Sequence, residues 1–267
     1  MARKSNGPLD VLSGARVQAR ILGALAIRDM MKRYGRANIG FLWVVLEPMI
    51  LTAAVMTLWS FIKAPVEHGV TVISLVLTGY MPLTLFRHIS GVGPHLLRQS
   101  VAFLYHRRIT FIDVLLARTF LELAGTTTAL LVVYGALLIV DLVSPMRDPG
   151  LCVAGWLTMA ALSFGFAAIF AVLTEVSEST ERFIPPIQYI LLPISGSFFM
   201  VEWLPKAAQD VVVWVPMVHC YEMFRAGFLG EDVVTHFSPW YPLAWALALT
   251  AIGVYSIDRV RDKIHTG

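Results

Sequence analysis

The sequence predicts an all-α polytopic membrane protein: six transmembrane helices, an N-terminal interfacial helix, and a re-entrant helical hairpin before the last span. Three observations predict it. Of the 267 residues, 57% are hydrophobic and 15% charged, with a mean hydropathy of +0.69; a soluble domain uses about half apolar and about a quarter charged residues. The apolar residues fall in long runs almost free of charge. The cations gather on alternate connections, as they do when a chain threads a bilayer with its positive loops inside.

The first run sets the pattern. In RDMMKRYGRANIGFLWVVLEP, residues 28–48, the cations Arg28, Lys32, Arg33 and Arg36 stop before Ile39, and the chain is then apolar to Ile62 except at Glu47. The 24 residues of 39–62 make roughly 36 Å of helix, enough for a hydrocarbon core of about 30 Å. Ahead of this span, residues 1–38 form a cytoplasmic N-terminus. Within it Val17, Ile21, Leu22 and Leu25 share an arc of about 140°, with Arg16 and Arg20 opposite, until Arg28 falls into the apolar arc. That pattern fits a helix over 16–27 lying in the membrane interface. The first apolar run starts too late and runs too long for a cleavable leader, so the first span is expected to act as the insertion signal.

A short turn at 63–68 leads to a second span at 69–86. From 87 to 118 the chain is polar and basic, broken by Gly91, Gly93 and Pro94; 87–108 is read as the main internal loop. The third span is 119–140 and the fourth 151–174, joined by Ser-Pro and Asp-Pro-Gly turn signals. An acidic loop, 175–182, precedes the fifth span, 183–201. Pro185 and Pro186 stand in its first turn, where a missing N–H costs little, and Pro193 should bend it. Residues 202–240 are too mixed for span or loop. Helices at 205–214 and 217–227, each about 15 Å long, would flank Val215-Pro216 as an external re-entrant hairpin, tolerated at membrane depth only where it is buried or lines a cavity. The sixth span is 241–257, and 258–267 is a cytoplasmic tail. Of the 21 Lys and Arg, seventeen lie on the side of the N-terminus; Lys63, Arg147, Lys206 and Arg225 alone lie on the other. Both termini are therefore expected in the cytoplasm.

Several functions are disfavoured. The net charge of +3 reports topology rather than a nucleic-acid partner. Cys152 and Cys220 form neither a CxxC nor a zinc pattern, so they read as buried thiols, and no metal site is expected. No GxxxxGK[ST] occurs, so the chain is not expected to cradle nucleotide phosphates itself, and no cofactor is expected on it. Ser195-Gly196-Ser197 and His219 invite an intramembrane protease reading, but the G-x-S-G order is not met.

Glu47 is the sharpest functional signal. A lipid-facing carboxylate at the centre of a span costs about 2.5 to 3.5 kcal/mol, so Glu47 should face protein or water. Arg36, Gly40, Trp43 and Glu47 share one helix face; an ion pair and a polar substrate path both fit, and Pro48 bends the helix under either. Arg118 and Glu122, four residues apart, read as a helix-anchoring pair or a gate. His219, Glu222 and Arg225 recur every three residues, as an interhelical polar network or the lining of an exit. Trp203, Trp214, Trp240 and Tyr241 flank spans as an interfacial belt does. The substrate-path candidates are thus Arg36, Trp43, Glu47, Trp203, His219, Glu222 and Arg225. In the internal loop, Leu97, Val101, Phe103 and Tyr105, with Arg107 and Arg108, read as a short helix seated in a partner's groove rather than as a purely solvated loop.

Three groups of residues carry a family resemblance: Lys32-Arg33-Tyr34-Gly35, Ile39-Gly40-Phe41-Leu42-Trp43 and Leu46-Glu47-Pro48; then Tyr105-His106-Arg107, Ile112-Asp113, Ala117-Arg118 and Leu121-Glu122; then Val215-Pro216-Met217-Val218-His219 with Glu222 and Arg225. Together they resemble the permease subunits of type-two ABC exporters, specifically those for capsular polysaccharide. The basic-Tyr and Gly-x-Leu-Trp elements are shared with permeases for O-antigen and teichoic acid. One departure is Val215 ahead of Pro216, where the family often has Asn. The resemblance implies a homodimer bound to two ATPase subunits in the bacterial inner membrane. It also implies a coupling helix between spans two and three, and export of a lipid-linked acidic polysaccharide to periplasmic and outer-membrane export proteins.

Overall fold

The computed structural model describes residues 8–34, 39–96 and 109–264. These hold nine α-helices: α1 Pro8–Tyr34, α2 Ile39–Ile62, α3 Val72–Ser90, α4 Phe111–Ile139, α5 Pro149–Val176, α6 Glu178–Ile194, α7 Lys206–Val212, α8 Pro216–Leu229 and α9 Trp240–Ile264. Among the described residues, five helices are long and apolar enough to cross a membrane: α2 over Leu42–Ile62, α3, α4, α5, and α9 over Trp240–Ile257. The chain is an all-α polytopic membrane protein.

Local chemistry sets the boundaries. Between α2 and α3, β1 (Val66–Glu67) and β2 (Val70–Thr71) form an antiparallel hairpin. Its turn residues His68 and Gly69 both have positive φ, 50° and 82°, as a two-residue hairpin turn demands. Thr71 then caps α3 by accepting from Ser74 N. The helix runs to Ser90, so Arg87 and His88 occupy its last turn rather than opening a loop. α4 starts at Phe111, eight residues ahead of the span expected at 119–140, because Thr110 and Asp113 make a reciprocal capping box. α6 begins at Glu178 and stops at Ile194, short of the expected 201. α1 continues past Arg28, because its inward face carries polar residues that meet partners on α4.

α3 is the centre of the bundle. In its most apolar stretch 83% of residues are buried, against 28% for α2 and 22% for α9. It packs on α2, α4, α5 and α8, and Leu77, Met81, Leu83, Leu85, Phe86 and Ile89 fill the space between them. Elsewhere small residues bring helix axes close, the usual device where lipid gives no hydrophobic drive to association. Gly165 of α5 lies against Leu249 and Thr250 of α9, and Gly253 of α9 against Ala168; contacts that advance together mean parallel helices. Gly155 meets Cys220 and Phe224 of α8, and Gly227 meets Cys152; there the order reverses, so α8 runs antiparallel along the first half of α5.

A side chain at Gly155 has no room: its Cβ would lie 2.8 Å from Phe224 N and 3.1 Å from Phe224 Cα. Overpacking of this kind costs about 1–3 kcal/mol. Gly155→Val should therefore lower the thermal midpoint of the purified protein by several degrees. Gly135→Val, where a Cβ meets nothing within 4 Å, should leave it unchanged, and equal midpoints would contradict the α5–α8 contact.

Candidate functional site

Between α2, α3 and α6 lies a cavity of about 210 Å³, lined by Glu47, Leu51, Tyr80, Thr84, Arg87, His88 and Gln188. Steps of three and four residues put Tyr80, Thr84, Arg87 and His88 on one face of α3. Arg87 donates from Nη2 to the Tyr189 hydroxyl at 3.3 Å, and its guanidinium lies 5.0 Å from that ring's centre. His88 Nδ1 is 3.1 Å from Glu122 Oε2. Gln188 Nε2 donates to Ser90 Oγ at 2.7 Å. The last turn of α3 is thereby fastened to α4 and α6 by side chains alone. Half-buried Glu47 has no hydrogen-bond or ion-pair partner among the described residues. Trp43, one turn earlier on α2, is 47% exposed.

Arg118 and Glu122 each reach another helix. Glu122 meets His88 of α3, while Arg118 Nη2 lies 3.0 Å from Asp29 Oδ1 of α1, both side chains only 7% exposed. A second polar tie joins the same helices, the Gln18 amide donating to Asp113 Oδ1. α1 is thus clamped to the first turns of α4. A buried ion pair is costly to break one partner at a time, because the survivor is left as an isolated charge.

His219, Glu222 and Arg225 occupy one buried face of α8 and bind loop backbone. Arg225, fully buried, donates from Nη1 to Gly196 O at 2.8 Å and Phe199 O at 2.5 Å, and from Nη2 to Ser197 O at 2.7 Å. Glu222 accepts from Val201 N at 3.3 Å and His236 N at 3.0 Å. His219 Nδ1 accepts from Ser238 N at 3.0 Å and Nε2 donates to Val213 O at 2.8 Å. The three residues together hold the turn after α6, the end of α7 and the approach to α9. Both imidazole nitrogens are engaged by backbone, and Ser195 and Ser197 each donate to Leu192 O, so no serine–histidine pair is formed.

Trp203 stands apart from the Glu47 cavity. Its ring stacks on His68 at 4.9 Å, and it lines an outer groove with Glu202 and Asp232. Arg36, and Leu97, Val101, Phe103, Tyr105, Arg107 and Arg108, from which a coupling contact is expected, lie outside the described residues. Sequence reasoning missed Arg87, His88, Gln188 and Asp29. The spacing Tyr80, Thr84, Arg87/His88 was the available signal for the first two; the others depend on which helices meet.

The family described as ABC-2 type transporter matches residues 21–229. Over 93% of this chain and 94% of theirs, two relatives are each 33% identical to it. They are the capsule polysaccharide export inner-membrane proteins CtrC of Neisseria meningitidis serogroup B and BexB of Haemophilus influenzae. The polysialic acid transport protein KpsM of Escherichia coli is 24% identical over 86% of this chain and 91% of its own. The matched residues include every helix that lines the Glu47 cavity and all of α7 and α8, and on that extent the chain belongs to the ABC-2 type transporter family.

Proposed function

We propose that this chain is the transmembrane subunit of an ATP-driven exporter that moves lipid-linked capsular polysaccharide across the bacterial inner membrane. The observation that carries this reading is the near full-length identity to proteins named for capsule polysaccharide export. The subunit works as a homodimer with two ATPase subunits that bind ATP and Mg, and passes its cargo to periplasmic and outer-membrane export proteins. Glu47 and its cavity belong to the substrate path. His219, Glu222 and Arg225 hold the shape of the external hairpin at its outer end, with Trp203 beside it.

Six crossings fit the parallel packing of α5 and α9, since the chain between them must return once. α6 is the helix available for it, and its 17 residues give about 25 Å, prolonged by residues 195–200. α7 and α8 then form the re-entrant hairpin, and the distribution of cations puts both termini in the cytoplasm. Cysteines replacing Ser5, His95 and Glu178 should resist an impermeant thiol reagent in cells with an intact inner membrane. Those replacing Val66, Met146 and Lys206 should react. Cys152 and Cys220 are buried and give no background. Labelling at 95 without labelling at 146 would overturn the topology.

Residues 97–108 are the place where ATP hydrolysis is felt. Leu97, Val101, Phe103 and Tyr105 are apolar groups that a solvated loop has no use for, and a helix in an ATPase groove is anchored by a few such side chains. The wild-type chain should co-purify with its ATPase, have that ATPase stimulated by lipid-linked glycan, and restore capsule to an exporter-null strain. Phe103→Asp should insert normally yet lose the ATPase or its stimulation. Failure of the wild type to restore export would remove the functional assignment. Full co-purification and export by Phe103→Asp would remove only the coupling assignment.

A further inference from the structure

Two charges beside the α2–α6 cleft are left unanswered by the fold. Glu47 has no polar partner among the described residues, and Arg87 has only the neutral Tyr189 hydroxyl and ring. Both line the same cavity, yet no ion pair joins them. Neighbouring ionisable groups are paired: His88 with Glu122 and Arg118 with Asp29. Unpaired charge at membrane depth marks a place built for something that comes and goes.

The chemistry of that something follows from the two groups. An ionised carboxylate only accepts hydrogen bonds, and a guanidinium only donates them, its planar fork matching a carboxylate or phosphate. A metal cation would answer Glu47 and be repelled by Arg87; a bare anion would do the reverse. A sugar residue that carries an acid group answers both, its anion on Arg87 and its hydroxyls on Glu47. Thr84, His88, Tyr80 and Gln188 between them supply further donors and acceptors.

Size sets the stoichiometry. The cavity's 210 Å³ or so is below the roughly 300–1,000 Å³ of pockets that enclose a whole small ligand, so it takes one unit of a chain at a time. The present tether of Arg87 is weak, one long hydrogen bond at 3.3 Å to an uncharged hydroxyl and a cation–π contact, and an anion competes with both because it brings opposite charge and can take two N–H groups of the planar fork at once.

We propose that Arg87 and Glu47 form a binding site for one acidic sugar residue of the exported glycan, Arg87 taking the acid group and Glu47 the hydroxyls. The proposal rests on the glycan-exporter reading and specifies which glycans that exporter accepts.

The test uses the full chain with its partner ATPase in phosphatidylcholine nanodiscs, carrying Leu51→Cys at the cavity's exposed edge. The probes are a uronic-acid tetrasaccharide and its carboxyl-reduced neutral counterpart, and the readout is the rate of thiol labelling. The acidic probe should slow labelling about tenfold and the neutral one under twofold. Arg87→Gln should abolish the difference, Arg87→Lys keep part of it, and Glu47→Gln weaken protection severalfold. Tyr189→Phe, which loosens the same α3–α6 contact without removing charge, should keep the acidic preference. In cells, Arg87→Gln should cut export of an acidic capsule at least tenfold at unchanged membrane level and ATPase co-purification. Equal protection by both probes, undiminished protection or export in Arg87→Gln, or loss of the preference in Tyr189→Phe would overturn the site. So would equal protection from phosphatidylglycerol alone, which would make this a phospholipid site. If the wild-type chain exports glycan, these results remove the site and leave the exporter reading; if it does not, that reading itself has failed.

Discussion

Buried irregular backbone has no water to turn to, so its carbonyls and amides must be answered from within the protein. Arg225 is the group on which this chain relies for that. Where α6 ends, Gly196 takes a positive φ of 90° and the carbonyls of 196, 197 and 199 point inward, out of any helix. One buried guanidinium accepts the task of binding all three. The same turn packs on Gly79 of α3, where any side chain would collide with Ser197. Glu222 and His219, one and two turns back along α8, continue the arrangement to residues 201, 213, 236 and 238. A short helix is thus tied to three segments, and the tie runs through side chains that cost much to bury and more to remove.

Set beside these satisfied groups, Glu47 and Arg87 differ in kind. Arg225, Glu222, Asp29 and Arg118 are buried and bound to backbone or to opposite charge, which is how a protein uses ionisable residues to fix a shape. Glu47 and Arg87 are half-buried, adjacent to a cavity and unpaired with each other. A conformation evolved only for stability would bring such charges together or replace them. That separation is the physical basis for the binding site proposed in the cleft between α2 and α6, whereas the charged side chains of α8 are occupied with backbone.

The sequence made α2, the membrane class and the distribution of cations legible, because each depends on local hydropathy and charge alone. The start of α4 has a local signal too, Thr110-x-x-Asp113, but it lies in a stretch whose polarity alone points to a connection. Hydropathy alone ends the span ahead of Arg87 and His88; what admits them to α3 is Tyr189 and Glu122, on helices that only the tertiary fold brings near. α1 hid its length the same way. Asp29 and Gln18 break its apolar arc, and only contact with Arg118 and Asp113 turns that break into an inward face. The end of α6 at Ile194 follows from Arg225, thirty-one positions away in sequence. Sequence reasoning found Glu47, Arg118 and Glu122 but neither Arg87 nor the partners that the fold gives to the other two.

The pairing bears on how a push from outside the membrane would be felt. The coupling segment proposed at 97–108 joins the last turn of α3 to the first turn of α4. On the α3 side, Arg87, His88 and Ser90 are held to α6 and α4 by three side-chain contacts in less than two turns of helix. On the α4 side, Asp113 and Arg118 are held to α1. A displacement delivered to that segment therefore cannot move α3 alone. It must either carry α6 and α4 along or break the contacts with Tyr189, Glu122 and Gln188 that frame the Glu47 cavity. The weakest of these is the one that holds Arg87, so the guanidinium facing the cavity is the element a small movement of α3 would release first.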